Sequence, residues 1–122
     1  MKSWLINTDN RTLKTWDANG WTRLEIGDEP VQGDRVLVYL HDRNQFPAVG
    51  VILGPTDQPG VLRVEPLVLF DWDWVDAAGL RADWPPLKSA SALPEGVTEI
   101  TRPDFEYIYT IIHTRAEAAG LA

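Results

Sequence analysis

Residues Arg35–Leu40 read Arg-Val-Leu-Val-Tyr-Leu, and no other run constrains the chain as much. Successive side chains of a strand point to opposite faces. A run that is apolar at both odd and even positions must therefore be covered on both sides, which places it in the middle of a sheet. Residues 48–53 (Ala-Val-Gly-Val-Ile-Leu) form a second run of this kind, across a polar stretch over 41–47 that predicts a loop. The two runs read as a hairpin. Gly50, inside the second run, predicts a bulge or a close approach by another group.

The other elements are read around this pair. Trp4-Leu5-Ile6 makes residues 3–7 a short first strand. Residues 8–20 are polar, with a helical turn at 12–16. Residues 21–26 alternate weakly and predict a strand. Residues 27–33 (Gly-Asp-Glu-Pro-Val-Gln-Gly) and 54–60 are turn chemistry. Residues 61–70 form a long β-type run in which Pro66 marks a bulge or an edge. Asp71 is placed to cap a short helix over 72–78, stopped by Gly79. Residues 81–94 are irregular, because Pro85-Pro86 forbids regular structure there.

A last helix is predicted after Thr101. Thr101 and Asp104 have the spacing of a capping box, Pro103 falls in the first turn, and Phe105, Ile108, Tyr109 and Ile112 repeat at helical intervals. Gly120 can stop it. The strand runs lie too close together for the dozen or more residues of a crossover. The expectation is one α+β domain over residues 1–122, with a curved, mainly antiparallel, barrel-like sheet, flanking helices and a C-terminal helix.

Composition then removes function classes. The 122 residues contain no cysteine, so disulfides, thiolate metal sites and a cysteine nucleophile are excluded. No apolar run reaches the length of a membrane span, and the N-terminus lacks a signal-peptide pattern, so no membrane partner and a cytoplasmic location are expected. The net charge is −7. Residues 1–50 hold six basic and seven acidic side chains (net −1), and residues 51–122 hold five and eleven (net −6). Most of such a surface repels a phosphate backbone, so a nucleic-acid contact belongs on the nearly neutral N-terminal half.

Signatures of catalysis are weak. His41 and His113 are the only histidines, and no carboxylate pattern frames either, so no metal or other cofactor is expected. Ser3, Ser89 and Ser91 lie outside any nucleophile elbow, and no phosphate-binding glycine motif occurs. Asp71, Asp73 and Asp76 concentrate carboxylates, which read more simply as acids at a helix N-terminus. Gly33-Asp34 before the central strand reads as a turn, with Arg35 first on the strand.

Six tryptophans are more than a core of this size needs. Trp4, Trp72 and Trp74 read as packing residues. Trp21, Trp84 and Tyr39 are the candidates for lining a pocket.

Taken in order, Trp4-Leu5-Ile6-Asn7, Trp21, the Gly33-Asp34-Arg35-Val36-Leu37-Val38-Tyr39 run, Val49-Gly50-Val51-Ile52, the strand over 62–70, Val75-Asp76 to Gly79-Leu80, the loop over 87–93 and Ile100-Thr101 leading into Phe105-Glu106-Tyr107-Ile108 resemble the EVE domain family of the PUA-like superfold. The resemblance spans nearly the whole chain and rests on order and spacing. It implies a PUA-like curved β-barrel. EVE domains are similar to YTH domains, which hold a modified base in an aromatic cage. Bacterial EVE domains, often tied to restriction systems, look like readers of modified bases in DNA.

Carried onto this chain, the resemblance implies Trp21, Tyr39 and Trp84 as walls of a base pocket, Asn7 and Ser89 as hydrogen-bonding groups, and Arg35 near a phosphate. It also implies a modified DNA or RNA base as partner, with a nuclease or other effector domain in the same system. The chemistry is coherent, because a flipped base offers a flat π-surface and a polar edge. The leading expectation is a non-catalytic reader of modified cytosine or adenine. The alternatives are a PUA-like module for a small molecule or protein, and a small hydrolase built on Asp73, Lys88 and Ser89.

Overall fold

The central run does occupy the middle of a sheet. A computed structural model of the chain describes residues 1–42, 45–69, 75–76 and 96–118. In chain order these give β1 (Ser3–Thr8), α1 (Asn10–Ala18), β2 (Arg23–Glu25), β3 (Arg35–Leu40), β4 (Gln45–Pro55), β5 (Val61–Leu69), β6 (Val75–Asp76), β7 (Gly96–Ile100) and a C-terminal helix, α2 (Arg102–Ala118). The strands form one sheet in the order β2-β5-β4-β3-β1-β7, with β6 paired to the start of β4. The result is an α+β fold whose sheet curls into a half-barrel.

Both faces of the sheet are apolar, and the strands divide their side chains between them by parity. On the outer face Leu5, Leu37, Tyr39, Phe46, Val49 and Val68 meet Phe105, Ile108 and Ile112 of α2. These three helix residues are fully buried. Each contributes about 1.5–3 kcal/mol to docking the helix. Thr101 accepts the Asp104 N–H at 3.3 Å, so the expected cap begins this helix. On the inner face Trp4, Ile6, Val36, Val38, Leu40, Ile52 and Val64 enclose a second core with Leu13, Trp16 and Trp21. Shifts in the β4–β5 register near Gly50 and Gly54 supply the curl. A side chain at Gly50 would bring its Cβ to 2.6 Å from Val64 Cγ1, so the close approach expected there is present.

Four expectations need correction. The sheet is mainly antiparallel, yet β1 and β3 pair in parallel, Ser3 opposite Arg35 through Thr8 opposite Leu40. Residues 9–34 are long enough for a crossover because they hold α1, which extends beyond the expected single turn. Within the span 72–78 read as a short helix, the two described residues, Val75 and Asp76, instead pair as a strand with Phe46 and Gln45. β4 already begins at Gln45, inside the span 41–47 read as a loop. Pairing to β4 prevails there over a helical reading that rested on a cap and a stop alone.

Asp34 joins these parts. It is buried, and three donors converge on its carboxylate: the Lys2 N–H on Oδ1 at 2.9 Å, and the Trp4 Nε1–H and Val31 N–H on Oδ2, each at 3.0 Å. Its carbonyl accepts the Ile52 N–H of β4 at 2.8 Å. Burial pushes the carboxyl's pKa up. The hydrogen bonds from Lys2, Val31 and Trp4, with the nearby N-terminal charge, outweigh burial and hold it below its ordinary 3.8.

Asp34→Ala strands three buried or half-buried donors and is expected to cost about 3–5 kcal/mol in urea unfolding. Asp34→Asn is also destabilising, because an amide nitrogen cannot accept from any of them. A carboxyl with a depressed folded pKa stabilises fully above its unfolded value and loses that effect as pH falls through the folded one. The gap between native protein and Asp34→Ala should therefore be constant at neutral pH and shrink below about pH 3.8. A gap that does not change with pH would contradict the assignment.

Candidate functional site

Among the described residues the half-barrel stays open between β2 and β7, and this seam is the candidate site. The two ends of the sheet order, β2 and β7, border one cleft of about 290 Å³, β2 through Glu25 and the adjoining Ile26, β7 through Gly96 and Val97. The end of β1 and the start of α1 form its back wall, through Ile6, Thr8, Asp9, Thr12 and Trp16. Strand alternation puts Ile6 and Thr8 on the inner face with Trp16. The floor is thus apolar, with Trp16, only 3% exposed, reaching it from the inner core, and the rim is polar. The volume falls near the lower end of the range for small-ligand pockets. A wider depression over Glu25 and residues 58–61 has no aromatic among the described residues of its lining.

Local sequence explains the rim. Asp9 is the N-cap of α1, with extended backbone (φ −122°, ψ 170°), and its Oδ1 accepts the Thr12 N–H at 2.9 Å. That bond, helped by the Thr12 hydroxyl and the charges of His41 and Arg11 against an opposing effect of burial, keeps the Asp9 carboxyl below its ordinary pKa. Asp9 is therefore ionised at neutral pH. With Glu25 on the opposite rim, the cleft mouth is acidic. It suits a ligand that presents amino or other N–H donors.

The expected site residues distribute as follows. Asn7 is buried and borders the cleft, but alternation assigns its side chain to the face of Leu5 and Tyr39. Tyr39 is fully buried in the outer core, its ring 5.3 Å from that of Phe46, and lies away from the cleft. Trp21 is buried in the inner core, and the cavity it lines has room for about 10 Å³, a single water at most. Trp21 and Tyr39 thus stand on opposite faces of the sheet and do not form facing walls.

Arg35 lies at the other end of the sheet from the cleft, since it pairs with Ser3 where the cleft-lining Thr8 pairs with Leu40. Its Nη2 is 2.7 Å from Glu106 Oε1 and its guanidinium sits 4.2 Å from the centre of the Phe105 ring, so its charge is already matched. Trp84 and Ser89 lie outside the described residues. Asp9, Thr12 and Trp16 were not singled out from sequence. The available signal was Asp9 three residues before Thr12, followed by Leu13 and Trp16 at helical spacing.

With this geometry in place, the fold can be compared with known proteins. The chain is similar in fold to the NMR structure of Rpa0253 from Rhodopseudomonas palustris, a structural genomics target, with a TM-score of 0.56 and 16% identity over 93% of this chain and 94% of that one. That likeness concerns the fold alone. No family model matches the chain, and no curated protein matches it. Among the described residues, no helix is long and apolar enough to cross a membrane, and no group of three or more histidines and carboxylates is placed to hold a metal.

Asp9→Ala removes the N-cap of α1 and is expected to cost about 1 kcal/mol. Amide hydrogen exchange should speed up at Thr12 and Leu13 first, while β3 keeps its protection. Uniform acceleration across the chain would mean that α1 does not open separately from the sheet.

Proposed function

We propose that this domain is a non-catalytic binding module of the PUA-like, EVE-type class that takes a modified nucleobase in the seam cleft. The observation that carries the reading is the lining of that cleft: an apolar floor with the Trp16 indole beneath a polar, acidic rim. A nucleobase has the complementary distribution, with flat apolar faces and a polar edge. The carboxylates of Asp9 and Glu25 accept from exocyclic amino groups, which favours cytosine or adenine over thymine or uracil. Apolar floor area gives an added methyl group a surface to contact, a discrimination of about 1–3 kcal/mol. The curled sheet with a helix on its outer face supports a PUA-like assignment.

A second reading is favoured by the charge. A net −7 and an acidic rim oppose a phosphate backbone, and the one candidate phosphate ligand, Arg35, is paired with Glu106 away from the cleft. In that reading the same cleft serves a free nucleoside-sized molecule rather than a polymer.

Tryptophan fluorescence titration at low salt separates the two. The probes are nucleosides and short oligonucleotides carrying 5-methylcytosine, 5-hydroxymethylcytosine or N6-methyladenine, each beside its plain counterpart. The proposal predicts quenching by a modified probe well below the concentration needed for the plain one. Thr8→Val should weaken that binding up to about tenfold by removing one rim hydroxyl. Trp84→Ala tests the remaining expected wall, where loss of a stacking surface is worth about 1–3 kcal/mol. Equal affinity for nucleoside and oligonucleotide favours the small-molecule reading. No response from folded protein to any probe rejects both.

A further inference from the structure

Trp21 has a backbone conformation that bulky residues avoid. Its φ is 64°, in the left-handed region, which is costly for any residue with a Cβ. Such strain persists only where the surroundings over-determine it, and it concentrates at binding sites. The surroundings here are specific. Helix α1 ends in a Schellman turn, with the Gly20 N–H donating to the Asp17 carbonyl at 3.1 Å and the Trp21 N–H to the Trp16 carbonyl at 2.9 Å. Gly20, at φ 70°, makes the usual left-handed step, and Trp21 extends it by one residue.

That extra step brings the Trp21 indole back against the helix. Its Nε1–H donates to Asp17 Oδ1 at 3.1 Å, and its ring meets that of Trp16 edge to face, with centroids 6.0 Å apart and planes at 66°. Trp16 lines the seam cleft and Trp21 does not. The geometry points to Trp21 as a positioning residue. The left-handed step and the bond to Asp17 fix Trp21, and Trp21 fixes the Trp16 indole as a preformed wall of the cleft. A wall held before binding loses no rotamer freedom on binding. The inference rests on the proposed use of the cleft.

Asp17 is exposed, so changing it does not open the core. The test uses the full chain with 5-fluorotryptophan incorporated, and the Trp16 resonance is identified by its loss in Trp16→Phe. In Asp17→Ala the Trp16 fluorine line should broaden or move, and affinity for 5-methyl-2′-deoxycytidine should fall three- to tenfold, with Tm kept within about 3 °C. Asp17→Asn keeps an acceptor and should restore both readouts. An unchanged Trp16 line, or a moved line with unchanged affinity, overturns the inference. If the probe does not bind the native protein, the proposed function fails instead, and the fluorine line alone decides whether Trp21 positions Trp16.

Discussion

One buried carboxylate sets the geometry on which the other elements rest. Asp34 receives N–H groups from the start of β1, from the turn before β3 and from the Trp4 indole, and its carbonyl ties β3 to β4. A parallel pair gets no help from a tight turn in fixing its register. Between β1 and β3, with residues 9–34 intervening, the Asp34 bonds supply that help. They pin Lys2 and Trp4 beside the first residue of β3, and the pairing of Ser3 with Arg35 follows.

From that register the two faces of the sheet separate cleanly. Residues 37 and 39 face α2, while residues 36, 38 and 40 face the barrel interior. The outer face is closed by the apolar stripe of α2 and by Arg35, which stacks on Phe105 and pairs with Glu106. The inner face is filled by indoles and aliphatic side chains, but the described strands do not meet around it. The gap between β2 and β7 remains as the cleft, with Trp16 at the boundary between core and opening. A tightly packed interior and an open seam are thus two results of the same incomplete closure.

Much of this was legible because it depends on local pattern. The two-faced apolarity of residues 36–40 identified the central strand, Gly50 announced a close approach, and Thr101 with Asp104 marked the start of α2. What escaped depends on partners distant in sequence. The parallel pairing of β1 leaves no mark on residues 3–8 themselves, and Val75-Asp76 becomes a strand only because the start of β4 is available. Asp34 looked like turn material, since nothing in Gly33-Asp34 reveals the donors that arrive from Lys2 and Trp4. Because six tryptophans exceed what a core of this size needs and the order of the chain resembles that of EVE domains, Trp21 read as a pocket wall. Its left-handed backbone instead carries it into the core behind Trp16.

The central claim is the proposed one, that the seam between β2 and β7 receives the ligand. Amide chemical-shift mapping on ¹⁵N-labelled protein, titrated with 5-methyl-2′-deoxycytidine and then N6-methyl-2′-deoxyadenosine, tests this most directly. The account predicts that saturable shifts centre on Thr8, Asp9, Thr12, Gly96 and Val97, while the amides of Arg35 and of residues 102–106 stay in place. Shifts centred on Arg35 and Glu106, with the seam unmoved, would contradict it.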